Sequence, residues 1–241
     1  MLLIGLAFKD DHGVPVFPLS PLEILWANLV TSSPLALGLG LEEAQLDILQ
    51  RQPRPLRSGV FTLELVRDQL MYGSFMGSLC LAAFMLVAYA AGGQGFHALP
   101  HGCNDGTEVG VCHNVYRARA TTFATLSFLL LVTAWEVKHF RRSLFAMDER
   151  WSGPFSIFKT VYHNRVLFWA VAGGFVLTFP LVYIPGLNTI VFKHQAISWE
   201  WGVVFGCVAV YVALIEAWKA VKRSLGLGED WRWVRKGTDN V

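Results

Sequence analysis

Apolar residues in this chain gather into five blocks of about twenty, the length a helix rising 1.5 Å per residue needs to cross a hydrocarbon layer of about 30 Å. No other feature limits the fold as sharply. Hydrocarbon offers a backbone amide no partner, so a spanning segment must satisfy its own hydrogen bonds as a helix. The blocks fall at about 20–40, 68–91, 120–138, 166–183 and 199–221. They predict an all-α, polytopic membrane helix bundle of about five full transmembrane helices. Residues 1–9 read as the end of a truncated helix, 10–221 as one membrane domain and 222–241 as a tail. The apolar start is too short to span, and it lacks the leading basic residue and small-residue cleavage site of a signal peptide.

Lys and Arg set the expected orientation. Segments 42–67, 138–165 and 219–241 hold sixteen of the twenty basic residues, and the other side keeps only Lys9, Arg117, Arg119 and Lys193. Five crossings alternate consistently with that split, which predicts a cytoplasmic carboxy terminus. Trp199 and Trp201 flank Glu200 as interfacial anchors would, and Trp231 and Trp233 in the basic tail either rest on the cytoplasmic leaflet or belong to a disordered end. A net charge of +2 with scattered basic residues gives no patch for nucleic acid.

The first block carries Asn28-Leu29-Val30-Thr31-Ser32-Ser33-Pro34, a polar and helix-breaking run at membrane depth. On a helix Asn28, Thr31 and Ser32 share one face at i, i+3 and i+4. Pro34 lacks an N–H and its ring crowds the carbonyl of Val30, so the helix is expected to kink or unwind there. Freed carbonyls beside side-chain oxygens are hard ligands, suited to Na⁺, K⁺, Ca²⁺ or Mg²⁺. The competing reading is a proline kink patched by Ser and Thr hydroxyls. Glu136, near the end of the third block, is a second candidate cation ligand, because a carboxylate at depth usually faces a bundle interior. Its alternative is an interfacial pair with Lys138, His139 or Arg141. Glu216 reads as a surface partner of Lys219 and Lys222, and Glu23 as an interfacial acid.

The pairs Gly73/Gly77 and Gly202/Gly206 have the spacing that lets helix backbones approach closely. Cys103 and Cys112, nine apart in the loop between the second and third blocks, suggest a disulfide in an oxidising compartment. His97, His101 and His113 nearby leave a zinc or copper site as the alternative, although the spacing matches no structural zinc pattern. Cys80 and Cys207 lie within spans and read as packing residues. No Ser/His pair or paired intramembrane carboxylates with catalytic spacing points to an intramembrane enzyme.

The stretch Pro18-Leu19-Ser20-Pro21-Leu22-Glu23-Ile24-Leu25-Trp26-Ala27-Asn28-Leu29-Val30-Thr31 resembles the sixth membrane helix of P-type ATPases of the calcium- and sodium-pump type. Leu46-Asp47-Ile48 with Arg51-Gln52-Pro53-Arg54 resembles the loop after that helix. Cys103 and Cys112 sit where calcium pumps of this type carry a luminal disulfide, and the likeness runs to a tenth helix at 199–221. Arg117-Ala118-Arg119-Ala120-Thr121 and Ile197-Ser198-Trp199-Glu200-Trp201-Gly202 look most like the fungal sodium/potassium-exporting branch. The resemblance implies that Asn28 and Thr31 are ion-coordinating positions and that Glu136 is the carboxylate of the eighth helix. Calcium pumps carry an aspartate directly after the matching threonine, whereas this chain has Ser32. The lost anion favours Na⁺ or K⁺, with Ca²⁺ still open.

The resemblance further implies a full pump that uses ATP and Mg²⁺, with no cofactor held by this chain. The family's phosphorylation loop Asp-Lys-Thr-Gly and its Thr-Gly-Glu motif do not occur in the sequence. No ATPase activity is therefore expected of the chain alone, and its partners would be the bilayer, a cation and the remaining half of the pump. The alternative from another class is a stand-alone membrane interaction protein that regulates such a pump.

Overall fold

The computed structural model describes residues 8–9, 12–43, 62–90, 99–100, 103–104, 112–138 and 161–225. Five helices within it are long and apolar enough to cross a membrane: α1 Pro21–Gly40, α2 Leu63–Tyr89, α3 His113–Glu136, α4 Arg165–Tyr183 and α5 Glu200–Ser224. Among the described residues there is no strand, only an isolated antiparallel bridge between Lys9 and Pro15. Lys9, read from sequence as the end of a helix, is therefore extended. Residues 1–7 and the tail tryptophans Trp231 and Trp233 lie outside the described residues.

Three of the five helices start where a side chain caps their free N–H groups. Ser20 and Glu23 form a capping box at α1 with Pro21 in its first turn, an arrangement that satisfies two orphan donors reciprocally. The Thr62 hydroxyl accepts from Leu65 N at 3.3 Å at the head of α2. Asn164 Oδ1 accepts from Leu167 N at 3.0 Å at the head of α4. Capping explains why α2 begins five residues before the hydropathy block; α3, which has no side-chain cap, starts at His113 and takes in Arg117 and Arg119. At the other end α5 continues to Ser224, so Lys222, expected in the tail, is a helical residue.

α3 is the central helix: 78% of its apolar window is buried, against 28% or less for the other four. One core joins Leu35 of α1 to Ala124, Phe128 and Leu131 of α3, Leu167 and Val171 of α4 and Val204 of α5. A second, between α2, α3 and α5, packs Tyr72, Cys80, Leu129, Tyr211 and Ile215. Lipid tails are as apolar as leucine, so helices in a bilayer associate by close packing and polar contacts.

The close contacts fall at other glycines than the motif spacing predicted. A Cβ on Gly38 would lie 2.8 Å from the Leu167 Cα, and one on Gly174 would lie 2.4 Å from Leu131 Cδ2. Beside Gly73, Gly77, Gly202 and Gly206 there is open space among the described residues. Their helices turn other positions inward, Tyr72 and Cys80 on α2 and Val204, Tyr211 and Ile215 on α5. Spacing of four marks a groove without saying which face it is on.

Candidate cation site and buried charge pairs

α1 does not break at Pro34. It widens into a π turn over Ala27–Thr31 and resumes as α-helix over Ser32–Gly40. The backbone N–H of Ser32 reaches the Ala27 carbonyl, and its hydroxyl donates to the same oxygen at 2.9 Å. The Ser33 hydroxyl donates to the Asn28 carbonyl at 3.3 Å. Hydroxyls thus take up part of what the distortion frees, which is why the helix widens instead of unwinding. The wider turn also changes the phase of the side chains. Thr31 is buried against the bundle and Ser32 half-buried, while Asn28 is exposed on its outer face. The three share one face on a regular helix; here they run from the exposed side of α1 at Asn28 through Ser32 to the buried side at Thr31.

Glu136, the last residue of α3, is completely buried. Its Oε2 is paired with the ammonium of Lys219 on α5, which also donates to the Glu136 carbonyl at 3.1 Å. Glu136 Oε1 has no hydrogen-bond partner among the described residues. Lys138, the partner weighed from sequence, bonds Glu42 at 3.0 Å instead, and His139 and Arg141 lie outside the described residues. One turn beyond Lys219, Lys222 donates to Asp68 Oδ2 of α2 at 2.6 Å. Trp218 Nε1 donates to the other oxygen of Asp68 at 2.9 Å.

The expected surface cluster of Glu216, Lys219 and Lys222 is corrected by this geometry. Both lysines are fully buried, and Lys219 lies 3.9 Å from Glu216 but closer to Glu136. A signal for this was present in the sequence. Tyr211, Ile215, Lys219 and Lys222 form a single helical stripe, continuous with the apolar inner face of α5.

Asn28 and Glu136 do not converge. Asn28 is exposed on α1, whereas Glu136 is completely buried. Glu136 moreover faces α5, whereas α1 packs on α3 and α4.

Buried polar side chains are paired at the opposite end of the bundle too. Glu23 is fully buried and paired with His194, and its interfacial reading is corrected accordingly. Arg117 meets the buried Glu200 at 2.5 Å. Arg119, expected in a loop, is buried in α3. Its guanidinium donates to the Phe17 carbonyl at 2.9 Å, the Cys103 carbonyl at 2.9 Å and Asn104 Oδ1 at 2.7 Å. Cys103 and Cys112 are joined by a disulfide with Cα atoms 5.5 Å apart. His97 and His101 lie outside the described residues, and among the described residues no three His, Cys, Asp or Glu side chains group around a metal-sized point. Among the described residues, the buried carboxylates Glu23, Asp68, Glu136 and Glu200 each have a His, Lys or Arg partner.

Comparison with known proteins supplies the family. A sodium/potassium exporting P-type ATPase of Schizosaccharomyces pombe is 41% identical over 229 residues, covering 93% of this chain and 22% of that protein. A Saccharomyces cerevisiae protein of the same description is 42% identical over 223 residues, covering 92% of this chain and 20% of its own length. A calcium-transporting ATPase of Bacillus subtilis is 26% identical over 198 residues, covering 82% of this chain and 18% of that protein. The chain thus spans about a fifth of the length of these relatives. The family described as cation transporting ATPase, C-terminus, matches residues 16–221, and with five membrane-length helices over that same stretch the chain belongs to this family, as the C-terminal membrane part of a P-type cation ATPase.

Proposed function

We propose that the chain supplies neutral oxygen ligands to the transport site of a pump that exports Na⁺ or K⁺. Asn28, Thr31 and Ser32 of α1 are the ligands in this reading, whereas the carboxylate of Glu136, the fourth candidate, is engaged by Lys219. The observation that carries it is the outward face of α1. Asn28 and Ser33 are exposed beside a π turn and Pro34, in the middle of a membrane-length helix. A polar amide facing hydrocarbon is costly, and irregular backbone at that depth is tolerated where it is buried in protein or lines a cavity. That face therefore suits a surface on which further helices of a longer pump, and a cation, come to rest.

Relatives described as sodium/potassium exporting favour a monovalent cargo. Ser32 favours it too, since a hydroxyl offers no charge to a divalent ion. ATP and Mg²⁺ would be used by parts of the pump beyond this fifth of its length. The excess of Lys and Arg in segments 42–67, 138–165 and 219–241 favours a cytoplasmic location for the Glu42 end and the carboxy terminus. The test is Na⁺ export from yeast lacking its own exporters, with a full-length pump that carries this chain as its C-terminal part. Asn28→Ala and Thr31→Ala are expected to abolish export at unchanged surface expression. Undiminished export in both variants would remove the site assignment.

A further inference from the structure

We infer, on the transport reading above, that the contact between Glu23 and His194 is a latch on the outer end of α1. Through it His194, from the connection between α4 and α5, holds α1 where the outer route is shut and the cation is loaded. His194 is thus a positioning residue, one that reaches the ligand turn through Glu23.

Both side chains are completely buried, and His194 Nε2 meets Glu23 Oε1. The other carboxylate oxygen accepts from the Ser20 N–H within the capping box. An ionised carboxylate only accepts, so Nε2 carries the hydrogen of this contact, and Nδ1 has no hydrogen-bond partner among the described residues. Arg119 of α3 donates to the Phe17 carbonyl just ahead of α1 and acts electrostatically on Glu23, which compensates the carboxylate without a second proton on the imidazole. The backbone is bent to make the contact. Lys193 adopts a left-handed conformation at φ 54°, uncommon for a residue with a side chain. Its ammonium is held by the Asn104 carbonyl, and the next N–H, that of His194, donates to the Asn188 carbonyl at 2.7 Å. The turn sends Lys193 to the outer loop and His194 into the bundle. A sparsely populated conformation of this kind persists only where its surroundings impose it.

An apolar seal surrounds the imidazole. Phe192 stacks on it with ring centroids 5.8 Å apart, and Phe123 lies at 5.4 Å, in one core with Leu19 and Leu181. The latch also touches the candidate site through the helix itself. The Glu23 carbonyl accepts from the N–H of Ala27, the first residue of the π turn Ala27–Thr31. One helical turn moves as a unit, so fixing Glu23 fixes the ligand turn. An exporter loads its cation with the outer route shut and then opens it, and moving the outer end of α1 away from this seal requires Glu23 and His194 to part.

The experiment is Na⁺-dependent phosphorylation of a full-length pump carrying this chain, normalised to folded pump. Glu23→Gln keeps the latch: the amide oxygen still accepts from Ser20, and the amide nitrogen donates to Nε2 once the imidazole carries its proton on Nδ1. His194→Gln keeps it as well, with an amide donor in place of Nε2. Glu23→Gln/His194→Leu removes it and leaves no buried charge behind. One lost buried hydrogen bond shifts an equilibrium about five- to tenfold. With shut and open states near balance, that raises the Na⁺ half-activation concentration about three- to fivefold over Glu23→Gln, at unchanged maximal phosphorylation. Both single variants should stay within about 1.5-fold of the parent. If the leucine double does not fold, Glu23→Gln/His194→Asn, whose amide is too short to span the gap, is read in its place with the same expectation. A double that matches Glu23→Gln overturns the latch. So does a lowered maximum with unmoved half-activation, the mark of a purely structural contact, or a rise of about threefold already in His194→Gln. Failure of the transport reading is separate, since it shows as Asn28→Ala and Thr31→Ala variants that leave export intact.

Discussion

Gly38→Ala is expected to loosen the contact between α1 and α4 by about 1–3 kcal/mol. The added Cβ would sit 2.8 Å from the Leu167 Cα and 3.1 Å from its Cβ and Cδ1. Carbon atoms pack best at about 3.5–4.0 Å, so the helices must part by about 1 Å at that point. The nearest atom is backbone and cannot rotate away. Parting the helices also stretches the 2.8 Å bond from Asn164 Nδ2 to the Gly38 carbonyl, a contact worth about 1 kcal/mol net. Alanine returns about 0.5–1 kcal/mol through its better helix propensity, which leaves the loss dominant. Gly73→Ala is the control, because nothing lies within 4 Å of its added carbon, and it should be neutral or stabilising by up to about 1 kcal/mol. The assay is unfolding of the purified chain in mixed micelles by SDS titration, followed by tryptophan fluorescence. A Gly38→Ala chain as stable as the parent, or a Gly73→Ala chain equally weakened, would refute the placement of the close helix contacts.

Two further perturbations probe the polar interior. Reducing the Cys103–Cys112 disulfide, or replacing Cys103 with Ser, should cost about 2–3 kcal/mol; it also unsettles the Cys103 carbonyl that accepts from Arg119, and equal stability of reduced and oxidised chains in the same micelle titration would contradict this. Asp68→Asn or Lys222→Met alone should cost about 3–5 kcal/mol by stranding a buried charge, whereas the double substitution should cost far less. Additive losses in that cycle would count against a coupled pair.

The spans were legible because bilayer thickness fixes their length, whatever their partners. Pro34 was equally legible as a distortion. Whether the helix breaks or widens there depends on where the Ser32 and Ser33 hydroxyls go, and only the fold shows them donating to Ala27 and Asn28. Lys219 and Lys222 were misplaced because their position beside a basic tail outweighed their place on the Tyr211–Ile215 stripe. Counting charges assigns residues to loops and cannot see that Glu136, 83 residues away, waits on a neighbouring helix. The separation of Asn28 from Glu136 was hidden for a related reason, since depth and facing depend on how α1, α3 and α5 pack. Gly38 and Gly174, which make the close contacts, belong to no spaced pair that the motif could have marked.

The most direct measurement is the Na⁺ concentration that half-activates phosphorylation of a full-length pump carrying this chain, parent against Asn28→Ala. If the widened turn of α1 lends its oxygens to the cargo, half-activation should rise by at least about tenfold, the scale of one lost hard ligand, while surface expression stays constant. An unaltered Na⁺ dependence would mean that the polar turn serves the packing of α1 and that the cation binds elsewhere.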